Sequence, residues 1–187
     1  MPETIIDKLY SDNASILTLL FQLEEISMYS DLDDKLKKVL VMSAASLFET
    51  ELKSIIETFV SSTSNGNVAL LSLVKSKAVE RQFHTFFQWN ERNANQFFSV
   101  FGEAFSRRCR EQVRVNQALI DAIGAFMELG ELRNKLAHQN FGAFTIEKTS
   151  EEIFVLYKKA LEFVEFVRTT LIEEHGLPPH PTTETTL

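Results

Sequence analysis

Apolar residues return every three or four positions along nearly the whole chain, and no segment alternates with the period of two that a half-buried strand requires. From Asp12 to Tyr29, Ile16, Leu17, Leu19, Leu20, Leu23 and Ile26 predict a first helix. The cluster Ser30-Asp31-Leu32-Asp33-Asp34 reads as a turn running into the charged first turn of the next helix. That second helix is predicted from about Asp33 to Ser61. Leu36, Leu40, Leu47, Ile55 and Phe59 form its stripe, widened by Val39, Met42 and Leu52. Ser61-Ser62-Thr63-Ser64-Asn65-Gly66-Asn67 is the clearest loop in the chain. Beyond it, short helices are expected over Val68–Val74 and Val79–Trp89. Asn90-Glu91-Arg92-Asn93 then caps a further helical face of Phe97, Phe98, Phe101 and Phe105.

A long helix follows from about Val115 to Gln139, with Leu119, Ile120, Ile123, Phe126, Met127, Leu129, Leu132 and Leu136 on its buried side. Gly124 and Gly130 weaken this helix and mark places of close packing. Thr149-Ser150-Glu151-Glu152 is a capping box opening the last helix, where Ile153, Tyr157, Ala160, Val164, Val167 and Leu171 keep a 3–4 spacing until His175-Gly176. The expected fold is all-α: an up-and-down bundle of four long helices, with shorter ones inserted between the second and third. Residues 1–176 are expected to form one domain, and residues 177–187, which hold three of the four prolines, a disordered tail.

Composition narrows the class. A chain of 187 residues with 44% hydrophobic and 24% charged residues suits a soluble globular domain. No apolar run approaches the length of a membrane span, and the N-terminal residues lack a signal-peptide pattern. The single cysteine, Cys109, excludes an intramolecular disulfide framework and a Cys-based zinc site. A cytoplasmic location is expected. Neither a Gly-rich phosphate loop nor a Ser or Cys nucleophile motif is present, so ATPase and hydrolase chemistry has no support. No cofactor and no metal site is expected, because ligand spacing is lacking.

The net charge of −7 argues against a general nucleic-acid binder, yet seven of the eight arginines lie between residues 81 and 140. Arg107, Arg108, Arg110 and Arg114 form the densest group and are candidates to contact RNA phosphates. A solvated helix face with i,i+4 pairs accounts for them equally well. The nearby aromatic residues would suit base stacking, but at helical spacing they more often belong to a core.

One stretch concentrates chemistry: Leu132-Arg133-Asn134-Lys135-Leu136-Ala137-His138. Arginine grips phosphate as a planar fork, and histidine moves protons near neutral pH. Spacing alone is weak, since Arg-x4-His arises by chance roughly 0.2 times in this composition, and Arg168…His175 satisfies a looser version. Requiring Asn after the Arg lowers the chance to about 0.03 even for loose spacing. On a helix Asn134 and His138 share a face, Arg133 lies one position round, and Leu132 and Leu136 anchor the helix to the core. The three polar side chains then line the bundle surface, which is a poor pocket by itself. A second copy facing it across a two-fold axis would build a cleft. The residues equally describe a solvated helix end, where basic side chains complement the macrodipole.

Arg133-Asn134-Lys135-Leu136-Ala137-His138 resembles the signature of the HEPN superfamily, and the helical layout resembles prokaryotic HEPN proteins of the RiboL-PSP type. The resemblance implies a homodimeric, metal-independent endoribonuclease with a composite site, leaving 2′,3′-cyclic phosphate and 5′-hydroxyl ends. In that scheme His138 handles the protons, Arg133 holds the phosphate, and Asn134 orients His138 or bonds a phosphate oxygen. Glu49 is a candidate to orient the motif from the second helix, although a surface acid is the plainer account. His84 has no ligand-spaced partner and reads as a core or surface residue. A toxin–antitoxin or antiviral defence setting is implied, with an antitoxin or defence-system partner. Some HEPN toxins carry a Tyr two residues after the motif His; here that position is Asn140, which argues against control through modification of that Tyr. The competing readings are a non-catalytic HEPN-like module for dimerisation or partner binding, and an antitoxin or immunity protein.

Overall fold

Thr4 starts the first helix by closing a capping box with Asp7, its hydroxyl accepting from the Asp7 N–H while the Asp7 carboxylate accepts from the Thr4 N–H at 2.8 Å. The computed structural model describes residues 3–173, so the expected tail and the helix end at His175-Gly176 lie outside the described residues. Helix α1 spans Ile5–Gln22 and α2 spans Ile26–Thr63. The turn between them falls at Leu23–Glu25, where Glu24 takes the left-handed conformation (φ 58°). The predicted turn at Ser30–Asp34 is therefore corrected. Asp31 pairs with Lys35 and Asp34 with Lys38, both at 2.6 Å and four residues apart, so this acidic cluster is the charged side of a continuous helix. Asp33 reaches across to accept from the Ser150 N–H at 3.1 Å, serving the start of the last helix.

After α2 the loop runs through Asn65 and Gly66, both at positive φ, as the Ser/Asn/Gly composition requires. Asn67 caps α3 (Val68–Val74), which continues as a π-helical turn over Lys75–Val79 and a short α4 (Glu80–Gln82). Here the helix predicted to reach Trp89 stops. A 3₁₀ turn, Phe83–Thr85, follows, and its carbonyls are taken by side chains. The Trp89 indole N–H donates to the His84 carbonyl at 3.0 Å, and the Gln96 amide donates to that of Thr85 at 2.5 Å. Helices α5 (Asn95–Val100), α6 (Glu103–Arg114), α7 (Gln117–His138) and α8 (Ser150–Arg168) complete the order, with a π turn at Thr169–Glu173. Thr149 closes the capping box of α8 with Glu152, as the sequence predicts.

Among the described residues the fold is all helical. The long helices share one core: α8 packs on both α7 and α2, α1 packs on α2, and α2 touches α7. The aromatic stretch belongs to that core. Phe87, Phe97, Phe98, Phe126 and Phe163 are buried, with Phe87 stacked on Phe97 and the Phe126 and Phe163 rings each 4.9 Å from a neighbour in the cluster. In α1 the side chain of Leu17 is buried, whereas Ile16 and Leu19 face solvent, as do Leu23 and Ile26 beyond its end. No helix among the described residues is long and apolar enough to cross a membrane.

Candidate active site

Phe126, Gly130, Arg133, Asn134 and His138 lie at steps of three or four along α7 and so share one face of that helix. Opposite them on α2 stand Ala45, Phe48 and Glu49. The chain from α4 through the 3₁₀ turn contributes Glu80, Phe83, His84 and Trp89. Together these twelve residues enclose a cleft of about 470 Å³. The motif is thus not a flat surface line. A single chain already supplies three walls, because α3, α4 and the following turn fold back over the α2–α7 seam. A more open hollow continues past Asn134 and His138 toward Lys135 and Gln139.

Gly130 is buried under the indole of Trp89, which fills the space where a Cβ would stand. This is the close approach anticipated for the helix glycines. Gly124, in contrast, has open space at the corresponding position. The Trp89–Gly130 contact sets the height of the cleft floor, and the Trp89 bond to the His84 carbonyl ties the neighbouring turn to the same point.

Within the cleft, Arg133 and Asn134 are half-buried and His138 is exposed. The Arg133 guanidinium Nη1 donates to Asn134 Oδ1 at 3.2 Å, so Asn134 steadies the arginine here. Leu136 is buried and Leu132 partly so, which anchors this end of α7 as the sequence requires. Glu49 does line the cleft, its carboxylate held by Lys53 at 2.5 Å. Lys135 pairs outward with Glu131 at 2.7 Å.

Sequence reasoning passed over His84 and Glu80. They reach the cleft through a turn more than fifty residues before the motif, and only a contact between distant segments reveals them. The arginines of α6 are not part of the cleft. Arg107, Arg110 and Arg114 are exposed, Arg110 bonds the Ser106 hydroxyl at 2.8 Å, and the Arg108 guanidinium lies over the Phe105 ring at 5.5 Å. Arg168, the rival partner in the looser spacing, pairs with Glu51 at 2.6 Å and joins α8 to α2. Glu49, Glu80, His84 and His138 share the cleft without forming, among the described residues, a group of three placed to hold a metal ion.

The arrangement offers a phosphate-binding fork, two imidazoles and two carboxylates against an aromatic wall. A model of the RiboL-PSP-HEPN family matches residues 7–173. Comparisons with curated proteins and with solved structures find no match.

Proposed function

The chain belongs to the RiboL-PSP-HEPN family, and from that premise we propose that it is a cytoplasmic, metal-independent endoribonuclease of a toxin–antitoxin or antiviral defence system. One observation carries the reading: Arg133, Asn134 and His138 open together on a cleft large enough for a nucleotide. His138 takes the proton of a ribose 2′-OH or gives one to the leaving 5′-oxygen. Arg133, held by Asn134, binds the phosphate and stabilises the charge that builds on its oxygens. Glu49 acts from the cleft wall as a positioning group. The products are a 2′,3′-cyclic phosphate and a 5′-hydroxyl, and the need for a 2′-OH makes RNA the substrate. A homodimer brings two motifs onto one RNA strand as a composite site. Arg107, Arg108, Arg110 and Arg114 extend the track for phosphates outside the cleft.

Incubating the purified chain with RNA in EDTA tests the reading. Cleavage is expected to survive chelation and to fall by about 10²–10⁴-fold in His138→Ala. Activity lost to EDTA, or kept in His138→Ala, overturns it. The alternative, a non-catalytic module for dimerisation or partner binding, is favoured by the exposed Leu19, Phe21, Leu23, Ile26 and Met28 around the α1–α2 turn. A wild-type chain that self-associates yet cleaves no RNA would select it.

A further inference from the structure

His84 and His138 line the same cleft of the same chain. The turn carrying His84 is built to hold it there. Its carbonyl accepts from the Trp89 indole, and the ring of Trp89 is seated on Gly130, one turn before Arg133 and Asn134 on α7. A single tryptophan thus couples the backbone of His84 to the helix that bears the motif. The His84 residue itself is exposed and open to a ligand. We propose that His84 is the second proton carrier of the cleavage reaction, acting within the same chain as His138. The inference rests on the ribonuclease reading for its chemistry, but it does not need a second copy to complete the cleft.

Cleavage by the 2′-OH has two proton transfers on opposite sides of phosphorus. One imidazole accepts the 2′-OH proton as the bond from the 2′-oxygen to phosphorus forms. The other, as imidazolium, gives its proton to the 5′-oxygen as the bond from phosphorus to that oxygen breaks. The two histidines end with their protonation states exchanged, and water restores them, so nothing is consumed. Attacking and leaving oxygens stand about 4 Å apart across phosphorus, and a hydrogen bond of about 2.8 Å at each end sets the two nitrogens roughly 9 Å apart. A compact space of the cleft's volume is about 8 Å across, which is the same order. Arg133 lines the space with the two rings. The other charged groups around it are Glu49, already neutralised by Lys53, and Glu80. That these acids and histidines do not gather into a metal-holding group agrees with rings that flank a phosphate.

The full-length chain is tested on an RNA oligonucleotide in EDTA under single-turnover conditions. His84→Ala and His84→Gln are expected to lose about 10²–10⁴-fold in rate, as His138→Ala does. Their affinity for the same oligonucleotide with a 2′-deoxy residue at the cleavage site should stay within a few-fold of wild type. An undiminished rate in both His84 variants overturns the inference while leaving the ribonuclease reading intact. A bridging 5′-sulfur at the cleaved bond departs without a proton, so on that substrate the variant lacking the acid should recover and the other should not. Recovery of neither overturns the division of labour, a result that mere structural damage at His84 would produce. Finally, His84→Ala and His138→Ala chains co-expressed with different tags should give an inactive mixed pair. Restored cleavage there overturns action within one chain. Failure of the wild type to cleave any RNA removes the ribonuclease reading itself.

Discussion

Gly124 and Gly130 are two turns of one helix apart and stand there for different reasons. At Gly130 a methyl group would enter the Trp89 ring, whereas at Gly124 it would meet open space. Gly130→Ala should therefore destabilise the fold by about 1–3 kcal/mol from overpacking, reduced by the roughly 1 kcal/mol that alanine gains over glycine in a helix. Gly124→Ala should stabilise it by up to about 1 kcal/mol. Urea unfolding of the two variants checks the pair, and equal effects would contradict the packing described. Because Trp89 also holds the His84 turn, Gly130→Ala should slow RNA cleavage under conditions where it remains folded. The motif itself was legible from single residues: Asn134 beside Arg133, with buried Leu136 behind. The contribution of His84 was not, since nothing local distinguishes it from an ordinary exposed histidine.

Helix starts were readable where a side chain closes the first turn. Thr149 with Glu152 is such a case, and so is Asn67 after the Ser-rich loop. The α1–α2 boundary was misread, because the acids at positions 31–34 look like turn residues until their lysines are counted as i,i+4 partners. These carboxylates also predict how stability responds to acid. Burial raises the pKa of Asp7, but hydrogen bonds from the Thr4 N–H, Lys158 and the Thr4 hydroxyl outweigh it and hold the carboxyl below its ordinary value. For Asp34 the hydrogen bond from Lys38 dominates, and with Lys37 it overcomes burial, again lowering the pKa. A carboxyl depressed in the folded state binds fewer protons there than when unfolded, so its stabilisation is complete above the unfolded value of about 3.9. It is lost as pH falls through the lower folded value. Stability should therefore hold from neutral pH to about 4.5 and decline below about 4. Asp7→Asn with Asp34→Asn should flatten that decline in thermal melts across the acid range, and an unchanged slope would contradict it.

An acidic chain that handles RNA has to rely on local cations, because its overall field repels the substrate. The cleft contributes Arg133, and the exposed Arg107, Arg110 and Arg114 of α6 lie outside it. If these three touch phosphates along the track, replacing all of them by alanine should reduce the log–log salt dependence of single-stranded RNA binding by about 2. The cleavage rate at saturating RNA should not change. Binding measured between low and moderate salt on a 2′-deoxy-substituted oligonucleotide reads the slope directly. An unaltered slope would assign α6 a purely solvated face.

Periodicity, caps and composition were sufficient to assign the helices, their approximate order and the motif helix, because these follow from interactions within a few residues. The same local signals identified Arg133, Asn134 and His138. Tertiary packing alone decided that the motif sits in a cleft rather than on a bare surface. It also turned the aromatic stretch inward, set Trp89 on Gly130 and brought His84 beside the motif. Each of these is a contact between segments far apart in sequence. Such contacts are chosen by how volumes fill one shared core, and that choice leaves no periodic trace in either segment.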